Sequence, residues 1–367
     1  MLLQLGFDLV FGEMSVIPYI AVLCTVSCCL LTPSTSLCAT LTYKESDRTQ
    51  IELPFDWFSH VVYLNGPILA GDAADFSALL AKIRADDSDA RLVLSLSSVG
   101  GVANEGIRIS NLVSESGVGT FVETGKQCLS ACAFVFMAGR APPYEGPGYV
   151  DRHLHVGGTL GFHAPRLALG GATDLVIEQD VTWGDIATVY DSALHQISSL
   201  LLGYGTTGIK WPPSLVGELL RISGPGRYRM IETVDDAGRW HIDLFGFDGR
   251  TSLADPRTRF TACMNLYRWT DEDKWLEYGT DTVSDSAYID GWSKNQEQQS
   301  PDENALESLL VYIDMLNAEA CNVYRNRETG NWEISLGDRL DGSEVSPEVM
   351  LPPSTRIESL RQSASGN

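Results

Sequence analysis

"ARLVLSLSSVGGVANEGIRISNLVSES", residues 90–116, decides the fold class. Residues 90–98 form a continuous apolar run of the kind found in a parallel strand covered on both faces. "VGG" turns the chain, and residues 102–116 then carry apolar side chains at helical spacing. The same alternation extends outward. "HVVYLNGPI" (60–68) reads as a strand ending in a Gly-Pro turn, and "AADFSALLAKIRADD" (73–87) as a helix. Downstream, "GTFVETG" (119–125) reads as a short strand and "SACAFVFMAG" (130–139) as a buried helix ending at Gly139. Strands alternating with helices imply an α/β fold of βαβ units with right-handed crossovers. A Pro- and Gly-rich loop, "APPYEGPGYVDRHLHVGG", precedes "TLGFHAP", and a long helix is expected within 176–203.

Residues 50–245 are therefore expected to form one α/β domain. Beyond Gly246 tryptophan and tyrosine become frequent and acids dominate, so 246–341 read as a small acidic α+β module with an amphipathic helix at 302–320. Residues 342–367 are Pro/Ser-rich and are expected to be a flexible tail. The formal charge of the 367-residue chain is -22, and no basic stripe interrupts it. Such a surface repels phosphate backbones and excludes nucleic acid as a partner.

Residues 1–39 read as a signal peptide or membrane anchor. "VIPYIAVLCTVSCCLL" (16–31) is too short to span a bilayer and suits the apolar region of an export signal. Small polar residues follow and place a cleavage near Cys38 or Ala39. No Lys or Arg occurs before Lys44, and Asp8 and Glu13 lie upstream, against the usual charge pattern; a start at Met14 would remove both acids. The expected location is periplasmic or secreted, with membrane contact only through this segment. Four of the eight cysteines lie in the leader, leaving Cys128, Cys132, Cys263 and Cys321, an even number suited to an oxidising compartment. Cys263–Cys321 is the expected staple. Cys128 and Cys132 are expected either to pair or to face each other around Ser130.

Acyl-transfer chemistry needs a nucleophile, a base and donors for an oxyanion. "KQCLSACAFVFMAGR" (126–140) offers Ser130 at a strand-to-helix turn, where the bland alternative is a helix cap. "SSVGG" offers Gly100 and Gly101, whose backbone N–H groups are unshielded by side chains, and the N–H of Ala131 is a further donor. His163, in "GFHAP", is the candidate base. Other matches fail on context. "GYGTTG" (203–208) follows a helix instead of a strand, so it is no dinucleotide site. "RHLH" (152–155) lacks a third ligand at a recognisable spacing, so no metal is expected. Asp235 and Asp236 read as a turn. His60, His195 and His241 have no nameable partner.

In order and character, "VVYLNGPILAGDAADFSALLAKI", "LVLSLSSVGG", "CLSACAFVFMAG" and "GFHAP" resemble the Clp protease proteolytic subunit. They are more closely similar to uncharacterised periplasmic Clp-protease-like proteins with a C-x-S-A-C motif. The resemblance covers His60 to Asp243. It implies a Clp protease/crotonase spiral, Ser130 as nucleophile, His163 as base, and an oxyanion hole around Gly100 and Gly101. It also implies oligomer contacts through the 176–203 helix. The family's catalytic aspartate falls at Gly226 in "SGPGRYRM", so Asp180, Asp185 or Asp191 would have to serve as third member, or a backbone carbonyl would have to orient His163. No ATPase motif occurs and no cofactor is implied. The expected function is an exported, ATP-independent serine hydrolase acting on peptides or proteins. The competing expectation is a non-catalytic module of the same fold that binds peptides or assembles; the missing aspartate supports it, and a Cys128–Cys132 disulfide strapping the serine would strengthen it. Acyl-CoA chemistry of the crotonase type is a third, and an exported protein would meet little acyl-CoA.

Overall fold

A single apolar strand, Leu92–Ser97, lies at the centre of the molecule because hydrophobic residues cover it on both sides. The computed structural model describes residues 39–45, 57–141, 149–163, 211–222, 227–248, 252–270, 297–299, 305–314, 319–328, 330, 332–336 and 346–361. In chain order the strands are β1 (Thr40–Glu45), β2 (His60–Asn65), β3 (Leu92–Ser97), β4 (Gly119–Val122), β5 (Gln127–Leu129), β6 (Arg140–Ala141), β7 (Tyr149–Val150) and β8 (Arg152–His155). They continue as β9 (Thr159–Phe162), β10 (Arg229–Met230), β11 (Asp243–Phe245), β12 (Glu297–Gln299), β13 (Ala305–Asp314), β14 (Glu319–Asn326) and β15 (Trp332–Leu336). The helices are α1 (Asp72–Asp86), α2 (Ala103–Ser116), α3 (Ala131–Met137), α4 (Pro213–Arg221), α5 (Val234–Arg239), α6 (Pro256–Trp269) and α7 (Ile357–Leu360), with a 3-10 turn at Pro347–Met350.

The main sheet has the order β1-β2-β3-β4-β8-β11. Only β1 runs antiparallel to its neighbour; β2, β3, β4, β8 and β11 are parallel, which establishes the α/β class. The alternation of side chains across a strand separates two apolar layers. Val61, Val93, Phe121 and Phe245 share one face with Phe58. Val62, Leu64, Leu92, Leu94, Leu96, Val122, Leu154 and Leu244 join the main core on the other. Helix α1 buries Phe76, Leu80 and Ile83 at helical spacing. Helix α2 ends at Gly117, whose φ of 62° suits a left-handed C-terminal cap.

A second, three-stranded sheet has the order β10-β9-β5, with β5 parallel to β9 and β9 antiparallel to β10. It joins the first where β3 ends. Ser98 N donates to Gln127 O at 2.7 Å, and Leu129 N donates to Ser98 O at 3.0 Å. Below this junction, Trp211 packs edge-on to Phe134 and Phe162, so α3, β9 and the start of α4 share one aromatic cluster.

Strands β12–β15 form an antiparallel four-stranded sheet. The segment 302–320, expected to be an amphipathic helix, instead supplies β13 and the beginning of β14. Its centre, "LLVYI", joins β-branched and aromatic residues, and pairing with β14 outweighs the weak helical period. Cys321 on β14 is bonded to Cys263 on α6, with Cα atoms 5.7 Å apart. Phe260 and Met264 of α6 and Val311, Val323 and Ile334 of the sheet belong to the same apolar cluster as β3. Residues 346–361 fold back onto the body: Val349 and Ile357 are buried, and Asn265 Nδ2 donates to Val349 O and Leu351 O, each at 2.9 Å. Among the described residues no helix is long and apolar enough to cross a membrane.

Candidate functional site

The junction of the two sheets brings Gly100, Gly101, Ser130 and Ala131 together. Ile68 N donates to Gly100 O at 2.8 Å, and Val102 N donates to Ile68 O at 2.9 Å, which pins the glycine pair to the end of β2's connection. A Cβ on Gly101 would stand 2.0 Å from Ile68 O. A Cβ on Gly100 would stand 2.5 Å from Leu129 O, 2.6 Å from Ser130 Cβ and 3.0 Å from Ala131 N. Both positions therefore require glycine on space, and both have positive φ (93° and 152°).

Ser130 sits at the β5–α3 corner with φ 57° and ψ -122°. A non-glycine residue held in such a region costs about 1–3 kcal/mol and persists only where its surroundings enforce it. Here the surroundings do. Ser130 N donates to Gly161 O at 3.0 Å, and Ala133 N donates to Ser130 O at 2.9 Å. The Cys128–Cys132 disulfide, with an Sγ–Sγ distance of 2.08 Å, closes around the corner. The Ser130 side chain makes no capping hydrogen bond, which removes the bland reading of this residue as a helix cap.

Of the three expected backbone donors, the N–H of Gly100 is engaged: it donates to Ser98 Oγ at 3.0 Å in a buried bond. The N–H groups of Gly101 and Ala131 make no hydrogen bond among the described residues. Val99 and Val102, on either side of the glycines, are 53% and 41% exposed and give the site an apolar rim.

His163 follows β9 immediately, as Ser130 follows β5. Because these strands are parallel neighbours with Leu129 opposite Gly161, the two residues leave the sheet at the same edge. The imidazole lies edge-on to Tyr228, with ring centroids 5.1 Å apart. Asp180, Asp185 and Asp191, and the helix expected at 176–203, lie outside the described residues, as do Gly226 and the leader through Cys38.

A buried ionic network missed by the sequence reading holds Tyr228 beside His163. Asp235 and Asp236, expected in a turn, open α5 instead; Thr233 and Asp236 form a capping box. Asp236 pairs with Arg229 and Arg239, and Glu218 of α4 pairs with both arginines. Burial works against the charge on Arg229, and the carboxylates of Asp236 and Glu218 outweigh it, so its pKa is raised. Both guanidinium groups also lie over Trp240, at 5.2 and 4.3 Å from its ring centroid. Asp235 accepts from Trp269 Nε1 at 3.1 Å and pairs with Arg268. Arg229 in turn pairs with Phe162 across the β9–β10 ladder, which places Tyr228 alongside His163. The T-x-x-D spacing of a capping box was the available signal.

In "RHLH", His153 Nε2 lies 2.8 Å from Asp151 Oδ1, and His155 Nδ1 accepts from Gly157 N at 2.8 Å, so each imidazole has a local partner. Among the described residues no group of three His, Cys, Asp or Glu side chains is arranged to hold a metal ion.

No model of a known protein family matches the chain, and no curated protein matches it either.

Proposed function

We propose that this chain is a serine hydrolase of Clp protease/crotonase-like fold that cleaves peptides or proteins without ATP. In this reading Ser130 Oγ attacks the substrate carbonyl and His163 takes its proton. The N–H groups of Gly101 and Ala131 then receive the developing oxyanion. The observation that carries the reading is the backbone of Ser130. A strained corner, enforced on both sides, presents a hydroxyl relieved of any capping role, and two unengaged N–H groups stand next to it. The exposed Val99 and Val102 favour an apolar stretch of substrate beside the glycines. The two disulfides suit a periplasmic or secreted protein. The oligomer contact through 176–203 belongs to the same proposal.

One observation favours the competing reading of a non-catalytic binding module: the Cys128–Cys132 disulfide straps the serine. The same strap closes around a strained corner that presents the hydroxyl without a capping role, so the hydrolase reading stands as the better one. Covalent labelling by a fluorophosphonate probe separates them. The oxidised protein is expected to label rapidly, and Ser130→Ala and His163→Ala are each expected to abolish labelling. An unlabelled wild type that binds peptides would establish the binding module instead.

A further inference from the structure

We infer that the Cys128–Cys132 disulfide is a positioning device for Ser130, so that the serine reaches its reactive geometry only after these two thiols have been oxidised. The inference rests on the reading of Ser130 as nucleophile. Four residues of extended strand would span about 13 Å. The Cα atoms of Cys128 and Cys132 are 5.1 Å apart, so the chain must double back between them, and Ser130 is the apex. Cys128 lies on β5 and Cys132 in the first turn of α3. The bond therefore ties the strand to the helix across Ser130, one of two non-glycine residues with positive φ among the described residues.

The two disulfides among the described residues differ in what they can do. A cross-link stabilises a fold mainly by restricting the unfolded chain, and more so for longer loops. Cys263–Cys321 spans 58 residues, whereas Cys128–Cys132 spans four and restricts the unfolded chain least. Its effect falls on local geometry. Hydrogen bonds at Ser130 N and Ser130 O hold the flanking peptides, and the neighbouring Gly100 leaves room for the corner. The disulfide adds the covalent limit on how far the corner can open.

Closing the strap removes two protons and two electrons from the thiols and passes them to a thiol–disulfide oxidoreductase, whose own disulfide becomes a dithiol. Both cysteines are fully buried, so exchange with thiols requires local opening and the closed strap persists once formed. In a reducing compartment the corner would be unstrapped and Ser130 unreactive. In an oxidising one it would be locked into its working conformation.

The full-length oxidised protein, the variant Cys128→Ala/Cys132→Ala, and wild type reduced by a dithiol and then reoxidised distinguish the outcomes. Cys263→Ala/Cys321→Ala, with Cys24, Cys28, Cys29 and Cys38 also replaced by alanine, serves as background, so that only one cysteine pair responds. Labelling of Ser130 by the fluorophosphonate probe is expected to slow at least tenfold in the variant and in the reduced protein, and to recover on reoxidation. Circular dichroism and the melting temperature serve as fold controls. Amide hydrogen exchange at Ser130 and Ala133 is read in parallel and is expected to accelerate at least tenfold without the bond, with β3 unchanged. Labelling at the wild-type rate without the bond overturns the inference, as does unchanged exchange at these two amides. If the oxidised wild type takes no label at all, the hydrolase reading fails, and the exchange data alone decide whether the strap holds the corner. Should the double variant fail to fold, the reduction and reoxidation arm gives the same two readouts on the native sequence.

Discussion

Gly100 shows how narrow the tolerance of the site is. Its missing side chain leaves the space that Leu129 O and Ser130 Cβ fill, and its φ of 93° excludes an easy substitution even where space exists. Gly100→Ala is expected to destabilise the protein by about 3 kcal/mol, combining backbone strain with overpacking against main-chain atoms that cannot yield. A shift of the urea midpoint at constant slope is the measurement. Gly71→Ala serves as the comparison, since its φ is also positive (106°) but nothing stands within 4 Å of an added Cβ, and a smaller loss is expected there. At this scale much was legible. The glycine pair and Ser130 stand out by residue type because only small residues allow backbones to approach this closely. The claim of Ser98 on the Gly100 N–H was not legible, because the direction of a hydroxyl is set by packing.

Elements were most readable where burial dictates their pattern. Strands β2, β3 and β4 and helices α1 and α2 form where apolar periodicity places them, because each has one face or two faces that must be dry. The reading fails at 302–320, where pairing with a distant strand chooses the structure. It also fails at α5, whose six residues are too short to show a period and are held by Arg229, Arg239 and Arg268. Helix α6 and strand β14 depend on each other through Cys263–Cys321. Replacing both cysteines by alanine is expected to lower stability by about 2–4 kcal/mol, the usual contribution of a disulfide closing a long loop. The guanidinium midpoints of the oxidised wild type and Cys263→Ala/Cys321→Ala test this directly.

On the scale of the whole molecule, the packing of residues 346–361 sets a pH dependence. Glu348 is buried beside β11; its Oε1 accepts from Leu244 N at 3.2 Å, and its Oε2 accepts no hydrogen bond among the described residues. Burial, reinforced by the charge of Asp243, pushes its pKa up to about 8, well above the ordinary carboxyl range. The folded protein therefore keeps a proton that the unfolded chain releases above the ordinary carboxyl range. Stability from this group is greatest at low pH, declines as pH rises from about 4.5, and is fully lost above about 8. The swing is on the order of 5 kcal/mol at most. Glu348→Gln is expected to flatten this slope, raising the melting temperature at pH 9 relative to wild type while changing it little at pH 5.

The same segment makes hydrogen bonds that reach across most of the chain. Ile357 N donates to Glu232 O, Val234 N donates to Thr355 O, and Arg361 Nε donates to Val156 O, 205 residues earlier in the sequence. These bonds steady the strands that carry His163 and Tyr228. A nascent chain leaves the ribosome amino end first, so the corner at Ser130 emerges long before the residues that complete its surroundings. Contacts this remote in sequence form late and slowly. A polypeptide interrupted before residue 346 would carry its serine, its histidine and its glycines, yet leave the backbone of residues 232–234 without its clasp.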